Sequence, residues 1–198
     1  MHNEFPEIFV VRHGQTEWNL AGRYQGSLDS PLTIKGCRQA RDIGKVLLRE
    51  VGDRNDVVAT SSPQGRARRT ADLALAPLGW PITEDARLRE IAFGAWEGLT
   101  KQGIHAGWPE LGLTDAQAPV GWHFKSPDGE SYADVERRVD RFLTDLTRPS
   151  VVFTHGILSM VLRARWLGVG AQDMLKLPGG QGVIFHLSPG RGHRMIEK

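Results

Sequence analysis

Phe9-Val10-Val11-Arg12-His13-Gly14, near the start of the chain, and Val152-Phe153-Thr154-His155-Gly156, near its end, decide the fold. Each is a run rich in β-branched and aromatic residues that halts at His-Gly, the pattern of a short buried strand followed by a turn. Such a strand delivers an imidazole at its carboxyl end. In open α/β sheets that edge is where ligands bind. Two strands that end alike can present two histidines to one site, a constellation suited to a small anionic group.

Working outward from these two stretches, Ile8–Val11, Val57–Thr60, Val151–Thr154 and Val183–Leu187 read as short buried strands. Helical patterns lie between them. From Thr33 to Arg49, Ile34, Cys37, Ala40, Gly44 and Leu47 recur with a period near 3.6. Ser62-Pro63 has the form of an N-cap with proline at the first helical position, opening a helix through about Ala76. Ser131-Tyr132-Ala133-Asp134 fits a capping box, and the helix behind it sets Val135, Val139, Phe142, Leu143 and Leu146 on one stripe. Ile157 to Leu167 is apolar nearly all round, as expected of a central buried helix. Strands alternating with helices predict an α/β sandwich with a largely parallel sheet.

Residues 98–128 break this pattern. They carry five glycines and three prolines together with His105, Trp108, Trp122, His123 and Phe124, too long and too aromatic for a plain connector. The segment reads as a lid inserted over the carboxyl edge of the sheet; the alternative is a surface excursion with its own aromatic cluster. No repeat, low-complexity run or linker divides the chain, so residues 1–198 are expected to form one domain.

The bulk properties fit an ordinary globular protein, 40% hydrophobic and 24% charged over 198 residues. A net charge of +2 gives no reason to expect nucleic acid or a membrane surface as partner. The single cysteine, Cys37, rules out an intrachain disulfide and a cysteine zinc site, and suits a reducing cytoplasm. The segment Met1 to Pro6 lacks the apolar run of a signal peptide. No stretch approaches the length of a membrane span. Monomer and homodimer are equally compatible with the sequence.

Three segments carry chemistry. In the first, Arg12-His13-Gly14-Gln15-Thr16-Glu17-Trp18-Asn19, an arginine and a histidine follow a strand, Gly14 permits close backbone approach, and Thr16 and Asn19 add polar donors. In the second, Ser61-Ser62-Pro63 leads into a helix with Arg66 in its first turn, where the helix N-terminus also attracts anions; Arg68 and Arg69 read as a solvated face. In the third, Glu90 and Glu97 flank the apolar, glycine-spaced stretch Ile91-Ala92-Phe93-Gly94-Ala95-Trp96. A carboxyl group sheltered among Phe and Trp is a candidate proton donor.

Together these segments resemble the histidine phosphatase superfamily, the group that includes cofactor-dependent phosphoglycerate mutase. The resemblance spans almost the whole chain. It rests on Arg12-His13-Gly14-Gln15-Thr16 with Asn19; on Gly22-Arg23-Tyr24-Gln25-Gly26; and on Asp29 through Ala40. It continues with Ser62-Pro63, Arg66-Ala67 and Thr70-Ala71, then Glu90, Phe93-Gly94 and Trp96-Glu97-Gly98, and closes with Gly129-Glu130-Ser131 and Thr154-His155-Gly156. The resemblance implies a three-layer α/β/α sandwich with a mostly parallel central sheet and a small inserted lid.

It also implies a mechanism. His13 is the expected nucleophile, forming a phosphohistidine. Arg12, Arg66 and His155 ring the phosphate, with Asn19 and Gly156 beside them, and Glu90 protonates the leaving group and then activates water. Thr16, Arg23, Gln25, Gly26, Trp96, Trp108 and Trp122 are the candidate substrate pocket. No HExxH or paired-carboxylate metal motif is present, so neither metal nor cofactor is expected.

The departures bear on the subclass. Similar mutases are longer, carry a basic, tyrosine-containing stretch after the glutamate, and hold an Arg-Arg pair in a longer insertion. Here Glu90 is followed by apolar Ile91-Ala92-Phe93-Gly94, and Lys101 and Lys125 are the only Lys or Arg residues in 98–128. The expected activity is that of a metal-independent phosphomonoesterase (a hydrolase) acting on a small phosphorylated metabolite. Mutase is the alternative, with Arg23 mildly in its favour; Arg23 either binds a substrate carboxylate or caps its loop. An inactive phospho-ligand binding module is opposed by the joint presence of Arg12, His13, Arg66, Glu90 and His155. The stretch Leu177-Pro178-Gly179-Gly180-Gln181-Gly182 is a weaker candidate for lining the pocket through backbone N–H groups.

Overall fold

The computed structural model describes residues 5–113 and 121–197. Among them are strands β1 (Ile8–Arg12), β2 (Val58–Ser61), β3 (Ile82–Glu84), β4 (Ser150–Thr154), β5 (Ile184–Ser188) and β6 (Gly192–Ile196). The helices are α1 (Glu17–Leu20), α2 (Ile34–Val51), α3 (Gly65–Leu75), α4 (Lys101–Gly107), α5 (Tyr132–Asp145), α6 (Gly156–Leu167) and α7 (Ala171–Met174). The strands form one sheet in the order β3-β2-β4-β1-β5-β6. The first four are parallel to one another, while β5 and β6 run antiparallel along one edge.

Alternation along β1 separates two cores. Ile8 and Val10 point to one face, where they pack with Val139 and Phe142 of α5 and Leu158, Val161 and Leu162 of α6. Phe9 and Val11 point to the other, against Ile43, Val46 and Leu47 of α2 and Ala71, Ala74 and Leu75 of α3. A sheet buried on both faces between helices is the expected three-layer sandwich. The Ser131 cap matches the sequence reading, its hydroxyl accepting from Asp134 N, and Thr33 caps α2 in the same way by accepting from Gly36 N.

Other expectations need correction. Six strands replace four, because β3 has only three residues and β6 is mostly exposed, so neither shows a buried apolar run. Ser62-Pro63 does not cap α3. The N-cap is Gln64, without a side-chain cap bond, and the Ser62 hydroxyl instead meets His155 Nε2 at 2.8 Å.

Residues 114–120 of the expected lid lie outside the described residues. What is described of 98–128 is joined to the body by core packing: Ile104, Leu113 and Trp122 are buried in the cluster that includes α5 and α6. Tyr24 ties the segment's base to the early loop, with Tyr24 N donating to Leu99 O at 2.9 Å and Gly98 N donating to Tyr24 O at 2.8 Å. Among the described residues, no helix is long and apolar enough to cross a membrane.

Candidate active site

Strands β1 and β4 pair in register with Arg12 opposite Thr154, so the next residue of each strand is a histidine at the same sheet edge. His13 N donates to Thr154 O at 2.9 Å. The two imidazoles lie 5.3 Å apart between centroids, tilted by 55°. His13 Nδ1 is 2.8 Å from Gly14 O. A carbonyl only accepts, so Nδ1 carries the proton and Nε2 keeps its lone pair. Gly14 is required here: a Cβ on it would stand 2.5 Å from Gly36 O at the start of α2.

Arg66 projects from the first turn of α3 and is 2% exposed. Its guanidinium donates to Leu28 O at 2.7 Å, Asp29 Oδ1 at 2.9 Å and Gly26 O at 2.9 Å. Thr70 couples this arginine to the His13 loop. Its hydroxyl donates to Arg66 O at 2.7 Å and accepts from Gly14 N at 3.0 Å. Arg12 reaches across to α6, within 3.3 Å of where a Cβ on Gly156 would stand. Three buried nitrogens of this cage, Arg12 Nε, Arg66 Nε and His155 Nδ1, have no hydrogen-bond partner among the described residues. A phosphate would supply acceptors to such a cage.

The electrostatics keep both histidines neutral. Burial, then Arg12 and Arg66, push the His13 pKa well below 6.5 against the opposing Gly14 carbonyl. Burial, then Arg66, His13, Arg12 and Arg138, do the same to His155. Burial also lowers Arg12, with Glu90 opposing and Arg66 assisting.

Glu90 sits at the N-terminus of α6. Its Oε1 accepts from Leu158 N at 3.0 Å and Ile91 N at 3.1 Å, and its Oε2 from Ile157 N at 3.2 Å. The carboxylate is thus held by backbone amides rather than by the aromatic side chains that follow it in sequence. Its loop is fixed from behind by Arg138, which donates to Arg89 O at 2.9 Å and pairs with Glu130 at 2.8 Å. Glu130 in turn accepts from Ala92 N at 2.9 Å.

The expected pocket residues divide. Thr16 caps α1, and its hydroxyl accepts from Asn19 N at 3.1 Å and from Gln25 Nε2 at 2.9 Å. Asn19 Oδ1 accepts from Gln181 Nε2 at 2.9 Å, so Leu177–Gly182 contributes a side chain as well as backbone. Gly26, at φ +54°, offers its carbonyl to Arg66. Arg23 is exposed and donates to Gly98 O at 2.6 Å, the loop-capping alternative. Trp96, Trp108 and Trp122 stand apart from the cavity at the cage. Trp96 is fully buried and Trp122 nearly so, both in the core, with Trp108 packed edge-on against Trp96. Long-range packing turns these large rings inward. A cavity of about 230 Å³ opens from Arg12 and Gly156 and is walled instead by Tyr24, Phe93 and His123. A second, of about 420 Å³, borders Glu90, Gln64 and Arg138.

Residues 8–198 match the family model of the histidine phosphatase superfamily, branch 1. The chain belongs to that superfamily. It is 35% identical over 176 residues to the probable phosphoglycerate mutase GpmB of Salmonella arizonae, covering 83% of this chain and 76% of the relative. It is 38% identical over 172 residues to the protein of the same name from Citrobacter koseri, with the same coverage. Among solved structures, mycobacterial glucosyl-3-phosphoglycerate phosphatase in complex with VO3 superposes with a TM-score of 0.74 at 32% identity, over 98% of this chain and 97% of that one. A proposed alpha-ribazole-5'-P phosphatase from Escherichia coli superposes with a TM-score of 0.79 at 25% identity, again over 98% and 97%.

Several residues of the site escaped the sequence reading. Ser62 as the partner of His155, Asp29 as the anchor of Arg66, Gln181 against Asn19, and His123 in the cavity wall all act across large sequence separations. No local pattern marks them.

Proposed function

We propose that the protein is a phosphomonoesterase that hydrolyses a small phosphorylated metabolite through a phosphohistidine on His13. The observation that carries this reading is the state of His13, held neutral by burial and by Arg12 and Arg66, with Nδ1–H tied to Gly14 O so that Nε2 carries the lone pair. In the first step Nε2 attacks phosphorus, the ester P–O bond breaks, and Glu90 passes its proton to the departing alkoxide. In the second, Glu90 takes a proton from water, the hydroxide attacks phosphorus, and the P–N bond breaks to release inorganic phosphate. Arg12, Arg66 and His155 hold the charged oxygens through both steps. Positioning and charge stabilisation carry most of such a reaction. Glu90 Oε2, with its one long bond to Ile157 N, is the oxygen placed to exchange the proton.

Hydrolysis is favoured over mutase activity by the wall beyond Glu90. Ile91 and Phe93 are buried and apolar, and the cavity at Arg12 adds one cation, Arg163. In that cavity a second phosphate dianion would remain half compensated, and in the cavity bordering Glu90 Arg138 is already paired with Glu130, leaving Arg89 as the further cation. The names of the Salmonella and Citrobacter relatives favour the mutase reading, so one experiment must decide. Purified protein is assayed with EDTA for phosphate release from p-nitrophenyl phosphate, and for interconversion of 2- and 3-phosphoglycerate with added bisphosphoglycerate. Chelator-resistant phosphate release supports the proposal. Bisphosphoglycerate-dependent interconversion without net release would replace it.

A further inference from the structure

Arg163 lies in α6 and is 1% exposed. Its Nε donates to Ser159 O at 3.1 Å, a terminal nitrogen lies 3.4 Å from His193 Nε2, and the guanidinium covers the Phe185 ring at 3.8 Å. Among the described residues no carboxylate pairs with it. The contrast is Arg66, equally buried but matched to Asp29. A buried cation without an anion is costly, and an apolar side chain of similar volume would pack as well or better. A residue kept at such a cost in a cavity wall points to a ligand. Burial lowers its pKa only to about 10, so it stays cationic at neutral pH.

Its position gives the ligand's shape. Arg163 lines the cavity of about 230 Å³ that also borders Arg12 and Gly156. The bond from Nε back to Ser159 O turns the guanidinium toward the N-terminus of α6, leaving it roughly one turn, ~5 Å, beyond the phosphate cage. Ser159 Oγ, in the same cavity wall, is buried without a hydrogen-bond partner among the described residues. Between the two arginines the walls are Tyr24, Phe93, Met160 and Phe185. His123 adds no charge at neutral pH, because burial holds its pKa near 4.

We propose that Arg163, with Ser159, forms a second anion subsite that receives a carboxylate on the leaving group of the phosphomonoester. One guanidinium and one hydroxyl match a planar monoanion, which the guanidinium fork can grip with two parallel bonds. A phosphate dianion there would remain half compensated. The apolar walls suit a short hydrocarbon or ring between the two charges. Placing the phosphoryl group at the Arg12 end rests on the phosphomonoesterase reading, and the test separates the two.

The probes are phenylphosphonate and 4-carboxyphenylphosphonate, neither of which can be hydrolysed. Binding of each to the wild type, R163M, R163K and S159A is measured by calorimetry after thermal melts establish folding. The wild type is expected to bind the carboxylated probe at least tenfold more tightly. R163M is expected to lose that advantage, and R163K to retain part of it because the charge remains without the fork. Should R163M not fold, R163K and S159A must each shrink the advantage severalfold. Equal affinities in the wild type, or an advantage unchanged in the variants, would overturn the subsite. Phenyl phosphate hydrolysis is followed in parallel. Its absence alongside carboxylate-dependent binding would refute the phosphomonoesterase reading and support the subsite.

Discussion

The His13 imidazole stands 5.3 Å, centroid to centroid, from the His155 imidazole, and the pairing of Arg12 with Thr154 across two parallel strands brings them together. Two buried imidazoles this close, ringed by Arg12 and Arg66, resist protonation in the folded protein. In the unfolded chain they titrate near the ordinary value of 6.5. The unfolded state therefore binds more protons below that pH, and stability falls as pH falls. His123 adds to the effect over the window from 6.5 down to about 4, worth about 3 kcal/mol at most, at ~1.4 kcal/mol per pH unit. The melting temperature is expected to drop between pH 7.5 and 5.5. Inorganic phosphate should raise the melting temperature at each pH, because it binds the folded cage and not the unfolded chain, and H123F should reduce the drop. A melting temperature flat across this range would show that the histidines are not buried neutral.

Glu90 is held by the amides of Ile91, Ile157 and Leu158, and the proposed mechanism uses it twice. E90Q is expected to lower kcat on an alkyl phosphate by about 10²–10⁴. With p-nitrophenyl phosphate, whose leaving group departs without a proton, the first step survives and the second does not. Stopped-flow kinetics should show a burst of nitrophenol followed by a slow steady state. Equal loss on both substrates with no burst would remove Glu90 from the water-activating step.

Much of this site was legible in the sequence because its main parts are local: a strand, then Arg12-His13-Gly14; a strand, then His155-Gly156. A register that sets Arg12 opposite Thr154 is what two strands of equal pattern produce. The tryptophans were not legible in the same way. Trp96, Trp108 and Trp122 sit in a glycine-rich segment that reads as pocket-lining, yet whether such a ring faces a cavity or a core depends on what packs behind it. Behind Trp96 stand Trp108 and Trp122. Arg163 was hidden for the opposite reason: with Arg165 it is one of two cations in a helix otherwise apolar enough to read as pure core. Strand β6, exposed along most of its length, carries no alternation that separates it from a loop.

Arg66 is positioned by Asp29, whose carboxylate accepts from Arg66 Nη1 at 2.9 Å while remaining 41% exposed. Because the Arg66 side chain is only 1% exposed, D29N leaves a buried cation without its anion and should lower the melting temperature. The same change frees the guanidinium to turn, and KM for a phosphate ester should rise severalfold. R66M removes a transition-state donor and should lower kcat by about 10²–10³. Vanadate inhibition provides the check. An inhibition constant unchanged in both variants would remove Arg66 from the cage.

Gly14 allows the His13 loop to touch the start of α2, where a Cβ would stand 2.5 Å from Gly36 O. G14A forces two backbones apart and should destabilise by about 1–3 kcal/mol. Urea denaturation should show a lower midpoint with an unchanged slope. A midpoint equal to the wild type would mean that the loop has room to spare.

The central claim is that His13 makes and breaks a bond to phosphorus. Rapid acid-free quenching of the E90Q variant during turnover of p-nitrophenyl phosphate, followed by peptide mass spectrometry, tests it directly. The account predicts an acid-labile, alkali-stable phosphoryl group on the peptide carrying His13, absent when His13→Ala is combined with E90Q. A phosphoryl group on another residue, or turnover that persists in His13→Ala, would contradict it.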